Sequence, residues 1–140
     1  QVLALLLLLS PPLRGLALQL HSALTGSYVP GTHSVVFVTG LNEHIARDIA
    51  RAIMDRRLAA CVNILPRSSA LTPPSPHISL GFVLFFHSPQ LVKTRTSKIG
   101  ELSNYVRSIH PFETPEIISL PIEQGNPAYL RWIEESVPRH

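Results

Sequence analysis

The chain has 140 residues, a formal net charge of +3, thirteen prolines and a single cysteine. That length supports one hydrophobic core and one site rather than two. The Lys and Arg residues are scattered among acids without a run or helical stripe, which excludes a nucleic-acid grip, and the lone Cys61 excludes an internal disulfide framework.

The chain opens on Gln1 and runs into the apolar stretch Val2 to Leu9, so the expectation is a longer hydrophobic leader upstream. The stretch is too short to span a bilayer unaided. It matches the core of a secretory signal, with Ser22-Ala23 as the cleavage neighbourhood, and a fragment of a membrane anchor fits equally. A cytoplasmic or mitochondrial location is the alternative. A buried leucine-rich helix is the weaker reading, because Pro11-Pro12 interrupt the run and the segment up to Gly31 lacks period. Residues 1–32 are therefore read as leader and linker, and 33–140 as the domain.

Order begins at Ser34. Val35 to Thr39 is a β-branched and aromatic run ending at Gly40, which predicts a buried strand. Asn42 is the predicted cap of a helix whose apolar face is Ile45, Ile49 and Ile53, with Ala46 and Ala50 beside them. Its other face, with His44, Arg47, Asp48, Arg51 and Asp55, is a solvated mixture. Ala59 to Leu65 reads as a second strand stopped by Pro66. A second helix is predicted from Thr96 to Ile109, with Ile99, Leu102, Val106 and Ile109 on one side. Glu116 to Ile122 is a further strand, and Asn126-Pro127 starts a last helix whose buried stripe is Leu130, Ile133 and Val137. The order strand, helix, strand, undecided region, helix, strand, helix gives an α+β sandwich with helices on one sheet face.

Several segments carry more than periodicity: LAACVNILP at 58–66, KTRTSKIGEL at 93–102, HPFETPEIISLPIEQGN at 110–126 and YLRWIEESV at 129–137. They resemble the CutA divalent-cation-tolerance family over about 34–66 and 93–137, and GSYVPG at 26–31 is similar to the start of the domain in vertebrate members. The resemblance implies a ferredoxin-like βαββαβ fold with an extra C-terminal helix, and a homotrimer. It also implies Cu(II) or other divalent ions bound by some members and, for vertebrate members, association with membrane-anchored acetylcholinesterase. Binding and assembly, not catalysis, are the expected work.

His110 falls at the end of the second helix, and Glu116 follows across a turn bounded by Pro111 and Pro115. An imidazole and a carboxylate brought together there suit Cu(II) or Zn(II); the competing reading is an imidazolium stabilising the carbonyl end of the helix. Metal-binding members resembling this chain supply a cysteine near the end of the first strand and a histidine before the HP pair, where this chain has Val38 and Ile109. Copper is thus expected to bind weakly, through His110 if at all. Cys61 reads as a small buried thiol that becomes a ligand only if assembly leaves it facing a cleft. Tyr129 and Trp132 read as subunit-interface packing. A different class, a trimeric small-molecule sensor holding an anion between subunits, would use Thr94, Arg95 and Lys98. A hydrolase finds only His110 with Glu113 or Glu116.

Between Pro66 and Lys93 the resemblance stops. Family members carry an aromatic-rich hairpin there that serves trimer contact. This chain has Arg67 to Pro76, read as a proline loop that cannot pair in a sheet, then the apolar run Ile78 to Phe86, read as one replacement strand. Residues 85–90 are what a polypyrimidine tract ending in CAG encodes, so the segment reads as translated intron in place of an exon, the alternative being a genuine lineage-specific loop with a repaired third strand. The expected consequence is poor trimerisation and aggregation.

Overall fold

In the computed structural model, which describes residues 11–25, 27–72, 83–112 and 114–140, the β-branched run after the linker is strand β1 (His33–Gly40). It lies inside an antiparallel sheet with β2 (Cys61–Ile64), β4 (Val83–Arg95) and β5 (Ile117–Pro121) in the order β2-β4-β1-β5. Strand β3 (Ser68–Thr72) pairs with the first part of β4. With helix α2 (Glu43–Asp55) after β1 and α3 (Ile99–Ile109) after β4, this is the ferredoxin-like arrangement. Helix α1 (Pro11–Thr25) precedes the sheet and α4 (Pro127–Ser136) follows it.

Strand side chains alternate between faces, and the alternation decides what each face does. Val36 and Val38 of β1 and Val92 of β4 point to one face, where they meet Ile49 and Ile53 of α2 and Leu102 and Val106 of α3. Each fully buried aliphatic side chain there contributes on the order of 1.5–3 kcal/mol. Asn42 starts α2 by accepting the Ile45 N–H at 2.9 Å, and Asn126 starts α4 by accepting the Ala128 N–H at 2.9 Å, as their positions predict. Gly40 is required where β1 meets α2, because a Cβ there would stand 2.9 Å from that of Ala46.

Four sequence expectations change. Helix α1 begins at Pro11-Pro12, since proline is tolerated in a first helical turn, which has no N–H partner to lose. Its Leu13, Leu16 and Leu20 are exposed. The second helix starts as a 3-10 turn over Thr96–Lys98, and Ile109 at its end is exposed rather than part of the buried stripe. The strand expected from Ala59 begins only at Cys61; Ala59 and Ala60 are buried before it.

The fourth change is the largest. Ser68–Thr72, expected in a loop, pairs with β4 in the register Ser68↔His87 to Thr72↔Val83, and Ser68 Oγ lies 3.0 Å from His87 Nε2. The prolines that argued for a loop begin only at Pro73, and residues 73–82 lie outside the described residues, as does most of the apolar run from Ile78. Strand β2 runs in register from Cys61↔Lys93 to Ile64↔Gln90. Between the two registers Leu65-Pro66-Arg67 face Ser88-Pro89, three residues against two, which is a β-bulge. Pro66 is tolerated there because a bulge leaves one residue out of the ladder.

Candidate functional site

At the end of β1, Thr39 is the meeting point of the two residues singled out as ligands. His110 closes α3 with its backbone N–H on the Val106 carbonyl at 2.9 Å, then turns its ring back over the sheet. Its Nδ1 accepts the Phe112 N–H at 3.1 Å, so Nε2 carries the proton and donates it to the Thr39 carbonyl at 2.5 Å. The ring is tilted against Phe112 and the residue is only 8% exposed. Glu116 is exposed and accepts the Thr39 hydroxyl at 2.7 Å.

The chain therefore brings His110 and Glu116 to one residue, with both imidazole nitrogens already used by backbone groups. A metal at His110 has to displace the Phe112 N–H or the Thr39 carbonyl. The expected imidazolium cap is replaced by a ring tying the end of α3 to β1. Val38, in the place of an expected cysteine ligand, points into the core. Glu113 lies outside the described residues. Among the described residues no three His, Cys, Asp or Glu side chains converge on a metal position.

Cys61 is half-exposed rather than buried. It stands opposite Lys93 on the sheet face away from α2 and α3, with Tyr129 OH at 3.9 Å. Lys93 donates to Asn63 Oδ1 at 2.9 Å and lies 5.8 Å from the centre of the Tyr129 ring. Tyr129 and Trp132 rest on each other at 5.4 Å, each 42% exposed.

Thr94, Arg95 and Lys98 do not make one anion site. Thr94 Oγ1 is buried and donates to the Leu58 carbonyl at 2.6 Å, while Arg95, one residue on, points to the opposite face. Lys98 is buried against Glu101 at 3.0 Å.

Arg95 instead organises a cluster that sequence reasoning missed. Its Nε donates to the Val137 carbonyl at 2.6 Å, its Nη1 to Glu134 Oε1 at 3.0 Å, and its Nη2 to the Glu134 carbonyl, fastening α4 to the sheet. Arg139 adds a bond to Glu134 at 3.1 Å. His33, paired with Arg95 in the sheet, is 1% exposed and stacked on Tyr28 at 5.6 Å. Both its ring nitrogens lack hydrogen-bond partners among the described residues; the Glu134 carboxylate is 3.9 Å away, too far for one. Burial holds the His33 imidazole below its ordinary value, with Arg95 pushing the same way against Glu134. Burial works to raise Glu134, but the hydrogen bonds from Arg95 and Arg139 together outweigh it and leave the carboxyl low. No spacing motif marks His33; only the pairing of β1 with β4 brings it to Arg95.

The family model for the CutA1 divalent ion tolerance protein matches residues 34–71 and 88–136. The match reaches past Pro66 to Leu71 and resumes at Ser88 rather than Lys93, so the unmatched part is narrower than the sequence reading expected. The chain is similar to the protein CutA homolog of Danio rerio, 44% identical over 97% of this chain and 88% of the relative. It is also similar to that of Xenopus laevis, 41% identical over 90% of this chain and 81% of the relative. The crystal structure of CutA1 from Oryza sativa matches with a TM-score of 0.72 at 32% identity, over 80% of this chain and 97% of that one.

Proposed function

Because the chain belongs to the CutA1 divalent ion tolerance protein family, we propose that it acts in divalent-cation tolerance as a cyclic homotrimer, by binding and assembly rather than by catalysis. The observation that carries the assembly is the second face of the sheet. Alternation sends Val35 and Phe37 of β1, Leu91 of β4, and Ile118 and Leu120 of β5 to it, in register with one another. Helix α4 meets this face at its His33, Lys93 and Arg95 end. Ile118 is 52% and Leu120 54% exposed. An apolar strip across three strands favours burial against further copies, and a ring closes without leaving one uncovered. The poor trimerisation expected from a proline loop loses part of its premise, since Ser68–Thr72 pairs with β4; light scattering over a dilution series is expected to give three times the protomer mass, and a stable monomer or aggregation would overturn the reading.

Cu(II) or Zn(II) binds weakly in this reading. Glu116 offers an exposed carboxylate, His110 joins only by giving up a backbone bond, and Cys61 opens onto the same apolar face that a neighbouring copy covers. Calorimetric titration with copper should show at best weak binding that falls further in His110→Ala. A submicromolar affinity indifferent to that change sinks this placement.

The same reading includes association with membrane-anchored acetylcholinesterase and a place in the secretory pathway or at a membrane. Its support is the leucine-rich stretch Val2 to Leu9 and the exposed Leu13, Leu16 and Leu20 of α1. No helix among the described residues is long and apolar enough to cross a membrane. Co-precipitation of the membrane-anchored esterase with the full chain, lost on deleting residues 1–25, is the expected result.

A further inference from the structure

The bulge at Leu65-Pro66-Arg67 stands opposite the start of α2, and between them is a cleft of about 290 Å³. Ile64, Leu65 and Pro66 give it an apolar wall, while Arg47 of α2 and Arg67 of the bulge bring guanidinium groups from two different elements. Ser88 of β4 also lines it and is 3% exposed. Gln90, two residues along the same face of β4 and paired with Ile64 of the wall, is fully buried with neither its amide oxygen nor its nitrogen partnered among the described residues. Buried polar groups are nearly always satisfied, so Gln90, beside the cleft though not on its wall, marks a place next to Ser88 where a polar atom from outside the chain belongs.

The charges select the kind of molecule. Arg47 is held by Glu43 at 2.7 Å, and Arg67 lies flat over the Phe86 ring at 4.2 Å, a stacking that leaves its in-plane N–H groups free. Two guanidiniums against one carboxylate leave one net positive charge at the rim. The volume is at the small end of ligand pockets, which begin at about 300 Å³, and is too little for a nucleotide.

We propose that this cleft binds a small organic monocarboxylate: Arg67 and Arg47 hold the carboxylate, the Ser88 hydroxyl bonds to it, and a short apolar chain lies along Ile64, Leu65 and Pro66. The site is separate from Thr39 and uses no residue of the cation reading. The test is an NMR titration of the full chain at fixed ionic strength with acetate, valerate and inorganic phosphate, followed at the Ser88 amide and the Gln90 side-chain amide. Valerate is expected to saturate both signals and to bind tighter than acetate by about two- to fourfold per added methylene. Arg67→Gln, at an exposed position that does not threaten folding, should weaken valerate about tenfold, with Arg67→Lys between it and the parent. His110→Ala should leave valerate binding unchanged, which separates this site from the cation reading. Phosphate binding as tightly as valerate, shifts that never saturate, or indifference to Arg67→Gln would each overturn the proposal.

Discussion

Two buried histidines lie at opposite ends of β1, and their surroundings have little in common. The His110 ring is saturated: one nitrogen donates to Thr39, the other accepts from Phe112, and no charged side chain among the described residues is bonded to it. The His33 ring is unsaturated and stands beside the Arg95 and Glu134 charges that fasten α4. The histidine that a motif brings forward is thus the structural one. The histidine with electrostatic consequences carries no motif, because its neighbours come from β4 and α4, far away in sequence.

The contrast can be broken most severely at Arg95. Arg95→Met leaves two backbone carbonyls without their donor and the Glu134 carboxylate with only the exposed Arg139, and should cost about 3 kcal/mol or more in urea denaturation, with the near-ultraviolet signal of Trp132 on α4 altered. A loss below about 1 kcal/mol means the cluster does not hold α4. His110→Ala removes two hydrogen bonds and a packed ring, and is expected to cost about 2 kcal/mol while leaving α4 undisturbed.

Acid should separate the two ends next. With the folded His33 pKa below the ordinary 6.5, the unfolded chain binds more protons below that pH. The stability from neutral His33 is therefore complete above about 6.5 and is lost as pH falls toward the lowered folded value. Glu134 adds a second, more acidic loss, beginning as pH falls through its ordinary 4.5. The groups that set this behaviour are Tyr28, Arg95, Glu134 and Arg139. His33→Phe keeps the stack on Tyr28 and should flatten the upper part of the curve, measured as melting temperature against pH. An unchanged slope shows that His33 is not its source. The smallest effect is expected at Thr39→Val, which deletes the exposed bond to Glu116 and should cost about 0.5 kcal/mol, with its backbone bond to His110 intact.

Most of the fold was legible because local signals and packing agree. Asn42 and Asn126 cap where they were expected to, and the stripes Ile49, Ile53 and Leu130, Ile133, Val137 are buried. Ser68–Thr72 was missed because the prolines after it coloured the whole stretch, although none lies between Ser68 and Thr72. At the site, the meeting of His110 with Glu116 at Thr39 followed from the turn between them, but the use of both ring nitrogens by backbone groups did not. That depends on where Phe112 N–H and Thr39 C=O point, which no residue spacing encodes. The opposite faces of Thr94 and Arg95 are readable from strand alternation alone, which is enough to rule the pair out as one anion contact.

The bulge at Leu65-Pro66-Arg67 also bears on how such a chain can change over generations. Before it, Cys61 and Asn63 share a face with Lys93 and Leu91; after it, Ser68 and Ala70 do so with His87 and Phe85, so the facing parity of the first strand is reversed. The offset is absorbed within three residues, and strands β1, β2 and the second part of β4 keep their partners whatever the hairpin tip contains. The family match runs through the bulge to Leu71 and resumes at Ser88 opposite it, so the unmatched residues 72–87 lie on the far side of that offset from the core strands. A bulge of this kind works as a coupling that isolates its two sides, letting the tip of the hairpin be rewritten while the sheet that carries it is inherited unchanged.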